Sequence, residues 1–180
     1  MARFAPPELV AAALHDAAAV EPLVAAIWPH CYRVAAAMLG DARLAEDAAQ
    51  EACVAVYRSL RRVRDAAAFD GWVYRIVVRE ATRLARRRRT PDVFDARPLG
   101  LDDAASLDLW RALDTLPGDL RAVVILFYFD DLPGDAIARI LRVSPVTVRT
   151  RLTRARERLR AALGPDTIST PAAWETAHAV

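Results

Sequence analysis

Residues 134–163 read Gly134-Asp-Ala-Ile-Ala-Arg-Ile-Leu-Arg-Val-Ser-Pro-Val-Thr-Val-Arg-Thr-Arg-Leu-Thr-Arg-Ala-Arg-Glu-Arg-Leu-Arg-Ala-Ala-Leu163. Gly134 to Leu141 forms a short helical element, Arg142, Val143 and Ser144 form a brief turn, and a longer helix runs from Pro145 to Leu163. Ser144 before Pro145 is a helix start, a cap followed by a first helical position, and Gly164-Pro165 is a stop. Short helix, turn and longer helix make the helix-turn-helix pattern, although periodicity alone would give only a helical hairpin. The faces decide. Val148, Leu152, Ala155, Leu159 and Ala162 form the inward stripe, while Thr147, Arg149, Thr150, Arg151, Arg154, Arg156, Arg158 and Arg160 stand elsewhere with only Glu157 to offset them. A solvated helix usually balances arginine with glutamate four residues away, and this one does not. Such a face suits an anionic duplex. Ser144, Val146, Thr147 and Thr150 are placed to approach base edges or nearby phosphates, and Arg149, Arg151 and Arg154 to hold phosphates or guanines.

Working outward, Leu107, Trp110, Leu113 and Leu116 mark a helix that ends at Pro117-Gly118, and Leu120 to Phe129 form a strongly apolar one. Residues 105–164 therefore read as one helical module. Residues 91–104 lose all periodicity, with Pro91, Pro98 and Gly100 among four aspartates, and read as a flexible linker. Residues 22–90 form a second helical module upstream. Residues 1–21 are an N-terminal extension, a Pro6-Pro7 break followed by an alanine-rich helix of unassigned role. Residues 165–180 are a loosely held tail. The fold class is all-α, two small helical domains joined by a linker.

In the upstream module Leu23, Ile27, Val34, Ala35 and Met38 recur at helical spacing until Gly40-Asp41, a stop followed by a new cap. A second helix over 42–60 has Leu44, Ala48, Ala52, Val56 and Leu60 inward, with Glu46, Asp47, Gln50 and Glu51 gathered away from that stripe. Such a cluster repels DNA and asks for a separate basic protein partner, although a solvated face accounts for it equally. A loop carrying Arg61, Arg62 and Arg64 leads to Phe69 and a third helix over 71–89. There Arg75, Arg79, Arg83 and Arg86 repeat at four, four and three residues, which lines four cations along one side. Phe69, Trp72 and Tyr74 stand at its start, and rings beside cations are what single-stranded nucleic acid requires. The alternative is that Phe69 and Trp72 are simply core residues, and at helical spacing that is the commoner fate for Trp72.

Composition narrows the rest. The 180-residue chain is 54% hydrophobic, much of it alanine, which favours helix. No apolar run reaches the roughly 18 residues of a membrane span, and the N-terminus lacks a basic segment before an apolar core. A cytoplasmic protein without membrane insertion is expected. Cys31 and Cys53 lie far apart outside any CxxC pairing, so two buried thiols are expected rather than a disulfide framework or metal site. All 25 basic residues are arginine, yet the net charge is only +2, so distribution matters more than the total. His15, His30 and His178 are scattered. With no phosphate-cradling glycine loop and no acid-base cluster, neither an enzyme nor a cofactor is expected.

Four stretches resemble extracytoplasmic-function sigma factors of the sigma-70 family. Asp41-Ala-Arg-Leu-Ala-Glu-Asp-Ala-Ala-Gln-Glu-Ala is similar to region 2.2, and Phe69-Asp-Gly-Trp-Val-Tyr-Arg-Ile, running into Arg86 to Arg89, to regions 2.3 and 2.4. Leu113-Asp-Thr-Leu-Pro-Gly-Asp-Leu-Arg-Ala-Val and the stretch from Ile137 to Leu159 resemble region 4. The resemblance covers roughly residues 22–163, with both modules in order. It implies that Glu46, Asp47, Gln50 and Glu51 contact core RNA polymerase. It also implies that Arg61, Arg62, Arg64, Phe69, Trp72, Tyr74, Arg75, Arg79, Arg83 and Arg86 serve the minus-ten promoter element. Ser144, Val146, Thr147, Arg149, Thr150, Arg151 and Arg154 would serve the minus-thirty-five element. An anti-sigma partner and a monomer within the holoenzyme are further implications. Arg79 and Arg83 stand where the family commonly has asparagine and aspartate, Ala136 replaces a usual glutamate, and Arg142 replaces the usual turn glycine. A dimeric helix-turn-helix regulator that binds an operator without polymerase is the alternative.

Overall fold

Alanine sets how closely the first helices pack. The computed structural model describes residues 4–87 and 104–163, and every regular element among them is helical. Helix α1 spans Pro7–His15, α2 Val20–Leu39, α3 Ala42–Ser59 and α4 Phe69–Arg87. Ala35, Ala36 and Ala37 of α2 and Ala45, Ala48, Ala49 and Ala52 of α3 are all buried. Side chains this small let the helices approach at short interaxial distance. Gly40 ends α2 in the left-handed conformation (φ 64°), which glycine adopts without steric cost. The Asp41 carboxylate then accepts the Leu44 N–H at 2.9 Å and starts α3. Cys31 and Cys53 are buried and unbridged, as expected.

The second module comprises α5 (Ala104–Asp114), α6 (Gly118–Val124), α7 (Gly134–Leu141) and α8 (Pro145–Leu163). The apolar run Leu120 to Phe129 is not one regular helix: α6 passes at Ile125 into a π-helical stretch that ends at Phe129. α7, turn and α8 have the limits their capping residues dictate. The Ser144 hydroxyl accepts the Thr147 N–H at 3.1 Å. Val148, Leu152, Ala155 and Leu159 face inward. Ala162 does not: it is exposed, and in the last turn of α8 it is Leu163 that packs on the core.

The modules are not separate bodies. α4 packs on α6 and α7, α2 packs on α6 and the π-helical stretch, and the buried apolar side chains form one continuous core. The expected linker, apart from Ala104, and the expected tail lie outside the described residues. Among the described residues no helix is long and apolar enough to cross a membrane.

Candidate nucleic-acid interface

α8 presents its cations as a helix of this register must. At 100° per residue Arg149, Arg154, Arg158 and Arg160 fall away from the Val148–Leu159 seam, and all four are exposed. Ser144, Val146 and Thr150 are exposed at the N-terminal end and Thr147 is half-buried, with its hydroxyl 2.8 Å from that of Ser144. Val146 is 66% exposed, an apolar side chain held in solvent at the leading turn of the helix. Arg151 is half-buried, and its Nε lies 3.3 Å from Asp119 Oδ2 at the start of α6. Arg156 belongs to a different class. It falls only 80° from Val148, is buried, and donates from Nε to the Tyr128 hydroxyl.

On α4 the cationic side forms, with corrections to its rings. Phe69 is 1% exposed and Tyr74 is fully buried, so neither presents a face for base stacking in this conformation. The physical reason is register. Tyr74 lies about 100° behind Arg75 and turns into the core, where its hydroxyl is 3.0 Å from His30 Nε2. Trp72, half-buried, falls about 60° from Arg75 and inside the arc spanned by Arg79, Arg83 and Arg86, so it is the ring placed with the arginines. That angle was available in the sequence.

Arg79 and Arg83 share one carboxylate. Arg79 Nε is 3.0 Å from Glu80 Oε1 and Arg83 Nε 2.7 Å from Glu80 Oε2. Burial works against the Glu80 charge, but the hydrogen bonds from Arg83 and Arg79 hold its carboxyl below the ordinary value. The two arginine departures thus form a clamp with Glu80. Arg75 is half-buried and Arg86 exposed, while Arg61, Arg62 and Arg64 are exposed on the loop before α4.

Glu46, Asp47, Gln50 and Glu51 are all exposed on one face of α3. The same face continues through Val54, 36% exposed, and Tyr57, 64% exposed, which fall within the arc set by Glu46 and Glu51. Reading by charge alone misses these two, since apolar residues beside the inward stripe look like core. An exposed tyrosine and a partly exposed valine thus share a face with the four acidic and amide side chains.

Between the modules lies a cleft of about 820 Å³, lined by Met38, Thr82, Arg86, Asp114, Arg121 and Arg151 among others. Among the described residues no group of three or more histidine, cysteine, aspartate or glutamate side chains is placed to hold a metal ion.

The family model described as Sigma-70 region 2 matches residues 23–90, and that described as Sigma-70, region 4 matches residues 106–159. The chain is similar to the RNA polymerase sigma-H factor of Pseudomonas aeruginosa, 33% identical over 69% of this chain and 76% of that one. It is similar to the ECF RNA polymerase sigma factor SigW of Bacillus subtilis, 31% identical over 74% of this chain and 81% of the relative. Among solved structures it resembles CnrH in complex with the cytosolic domain of CnrY, with TM-score 0.68 and 27% identity over 89% of this chain and 97% of CnrH. Two matched modules in the order of the resemblance, with the fold of a solved relative, leave one assignment: the chain belongs to the extracytoplasmic-function group of sigma-70 family sigma factors.

Proposed function

We propose that three surfaces divide the work of a factor that binds core RNA polymerase and directs it to promoters. The α3 face from Glu46 to Tyr57 docks on polymerase. The Arg61–Arg64 loop and the arginine side of α4, with Trp72, engage the minus-ten element. The exposed side of α8 enters the groove at the minus-thirty-five element, with Arg149 and Arg154 on phosphates or guanines and Val146, Thr147 and Thr150 nearest the bases. The protein contributes binding energy and geometry rather than catalysis, and it works where polymerase works, in the cytoplasm.

The observation that carries the reading is the unbalanced cationic side of α8, left exposed behind a three-residue turn on a helix whose opposite side is packed. A helix kept soluble only by its own charge carries compensating glutamates, and α8 has one. The separate acidic face of α3 supports a second, protein partner. CnrH was solved with the cytosolic domain of CnrY, which supports a protein of the anti-sigma class as a further partner of this chain.

Run-off transcription with core enzyme over a genomic promoter library tests the proposal. New transcripts are expected only when the chain is added. No activated promoter, or a palindromic footprint made by the chain alone, would replace the reading with that of an operator-binding regulator.

A further inference from the structure

Glu80 stands on the packed side of α4, where a charge is out of place. At 100° per residue it falls about 20° from Val73 and about 60° from Val77, both fully buried, and it is itself 8% exposed. Each of its oxygens holds a different arginine. Oε1 accepts from Arg79 Nε and from Arg79 Nη2, both at 3.0 Å, and Oε2 accepts from Arg83 Nε at 2.7 Å. A leucine would fill such a position without the cost of desolvating a charge, and buried ion pairs are commonly no more stabilising than apolar side chains of like volume. Orientation of the two cations, rather than stability, is what this carboxylate provides.

The orientation has a chemical sense. A guanidinium offers a planar acceptor two edges, Nε with one Nη, or the two Nη groups end-on. Glu80 occupies the Nε edge of both arginines, so the end-on edges are left, and among the described residues neither guanidinium has another polar partner. The Arg79 side chain is 65% exposed and that of Arg83 36%. Trp72 completes the row. It stands seven positions before Arg79 and eleven before Arg83, about 20° from each on opposite sides, so the ring and the two forks share one line along α4 within roughly 17 Å.

A phosphate needs neither a ring nor a fixed fork, since a flexible point charge also serves it. A base uses both: its face stacks on a ring, and its edge takes two donors at a set spacing. Guanine alone presents two neighbouring acceptors, O6 and N7, which an end-on guanidinium matches.

We propose that Arg79 and Arg83 read guanine in the minus-ten element through their end-on edges, beside Trp72, and that Glu80 is the positioning residue that holds both forks. The inference rests on the promoter reading above and names the base that this surface selects. Glu80 also cancels one of the two charges, so the pair attracts phosphate less than two unheld arginines do and favours a base edge over the backbone.

Holoenzyme assembled from core polymerase and the full chain, offered promoter DNA randomised across the minus-ten element, provides the test. Wild type should enrich guanine at one or two positions by about tenfold over the other bases. Arg79→Lys and Arg83→Lys keep the charge but lose the fork, and each should remove a guanine preference while leaving the slope of log affinity against log salt unchanged. Glu80→Leu should reduce the preference to about twofold and steepen that slope by about one, as a second cation is freed for phosphate. No guanine enrichment by wild type, or enrichment retained by both lysine variants, would assign the pair to the backbone and overturn the proposal. A Glu80→Leu chain that keeps the full preference overturns the positioning role of Glu80. If holoenzyme binds no member of the library, the promoter reading fails instead, and single-stranded oligonucleotides with guanine against adenine, offered to the free chain, still decide what the two arginines read.

Discussion

Arg156 donates from Nε to the Tyr128 hydroxyl across 2.8 Å, and its guanidinium carbon lies 5.7 Å from the centre of the same ring. The contact ties α8 to the π-helical stretch after α6 and removes one cation from the surface offered to DNA. Two arginines only two positions apart thus have different work. Arg154→Ala should weaken binding of the upstream element and lower the slope of log affinity against log salt by about one, the loss of one phosphate contact. Arg156→Ala should leave that slope unchanged and destabilise the fold by about 2 kcal/mol through lost packing and a lost hydrogen bond. Salt titrations of holoenzyme on promoter DNA, beside urea melts of the free variants, separate the two. Equal slopes for Arg154→Ala and wild type would assign Arg154 to solvent.

The helix-turn-helix turn is made by a residue that resists it. Arg142 adopts φ 55° and ψ 47°, the left-handed region, and its N–H closes α7 on the Ala138 carbonyl. A side chain costs roughly 1 kcal/mol there, and glycine avoids the clash while gaining freedom in the unfolded chain. The first effect is partly offset by the second, so Arg142→Gly should stabilise the protein by about 0.5 kcal/mol, a rise in Tm of roughly 1–2 °C for a chain of this size. Thermal melts check it. A lower Tm would mean that the Arg142 side chain makes contacts worth more than the strain.

Much of this was legible because alanine-rich helices announce their ends. Gly40-Asp41 and Ser144-Pro145 each combine a stop or cap with a start, and α2, α3, α7 and α8 end within a residue or two of where those signals put them. The α8 face was legible for the same reason, apart from Arg156, whose 80° offset from the seam leaves it between classes. Phe69 and Tyr74 were misplaced because residue type spoke for nucleic acid while register spoke for the core. Closure of the two modules was not legible at all. It brings together residues as far apart as Arg33 and Asp130, 97 positions away, and no periodicity encodes a pairing at that separation.

The α3 face offers a test in which charge and apolar contact can be weighed separately. Glu51→Arg reverses a charge on an exposed rim and should abolish capture of core polymerase while leaving helical circular dichroism intact. Tyr57→Ala removes an exposed ring and should weaken capture by at least tenfold if the ring is a buried anchor in the complex. Both residues lie in solvent in the free chain, so neither variant should lower its stability by more than about 0.5 kcal/mol. Co-purification with core enzyme reads the outcome, and normal capture by both variants would move the polymerase contact off this helix.

The last prediction concerns the proton balance at the module junction. Burial first, and then the neighbouring Arg33 cation, push His30 down to about 4 from 6.5. Between those values the unfolded chain binds the proton and the folded chain does not, so the contribution of His30 to stability is complete above pH 6.5 and is lost as pH falls towards 4. Asp130 has the opposite sign. Burial raises it to about 6 from 3.8 against the pull of Arg33, so its contribution is complete below pH 3.8 and is lost as pH rises through 6. The windows overlap and the two trends offset one another, which leaves the wild-type chain only a shallow dependence over that range. His30→Gln removes one of them. On acidification from pH 7 to about 4.5 the variant should therefore gain stability relative to wild type, by about 2 kcal/mol at the lower end. Urea melts of both proteins across that range provide the measurement. A difference that stays constant with pH would show that His30 titrates alike in the folded and unfolded chains, and would remove it from the buried cluster around Asp130.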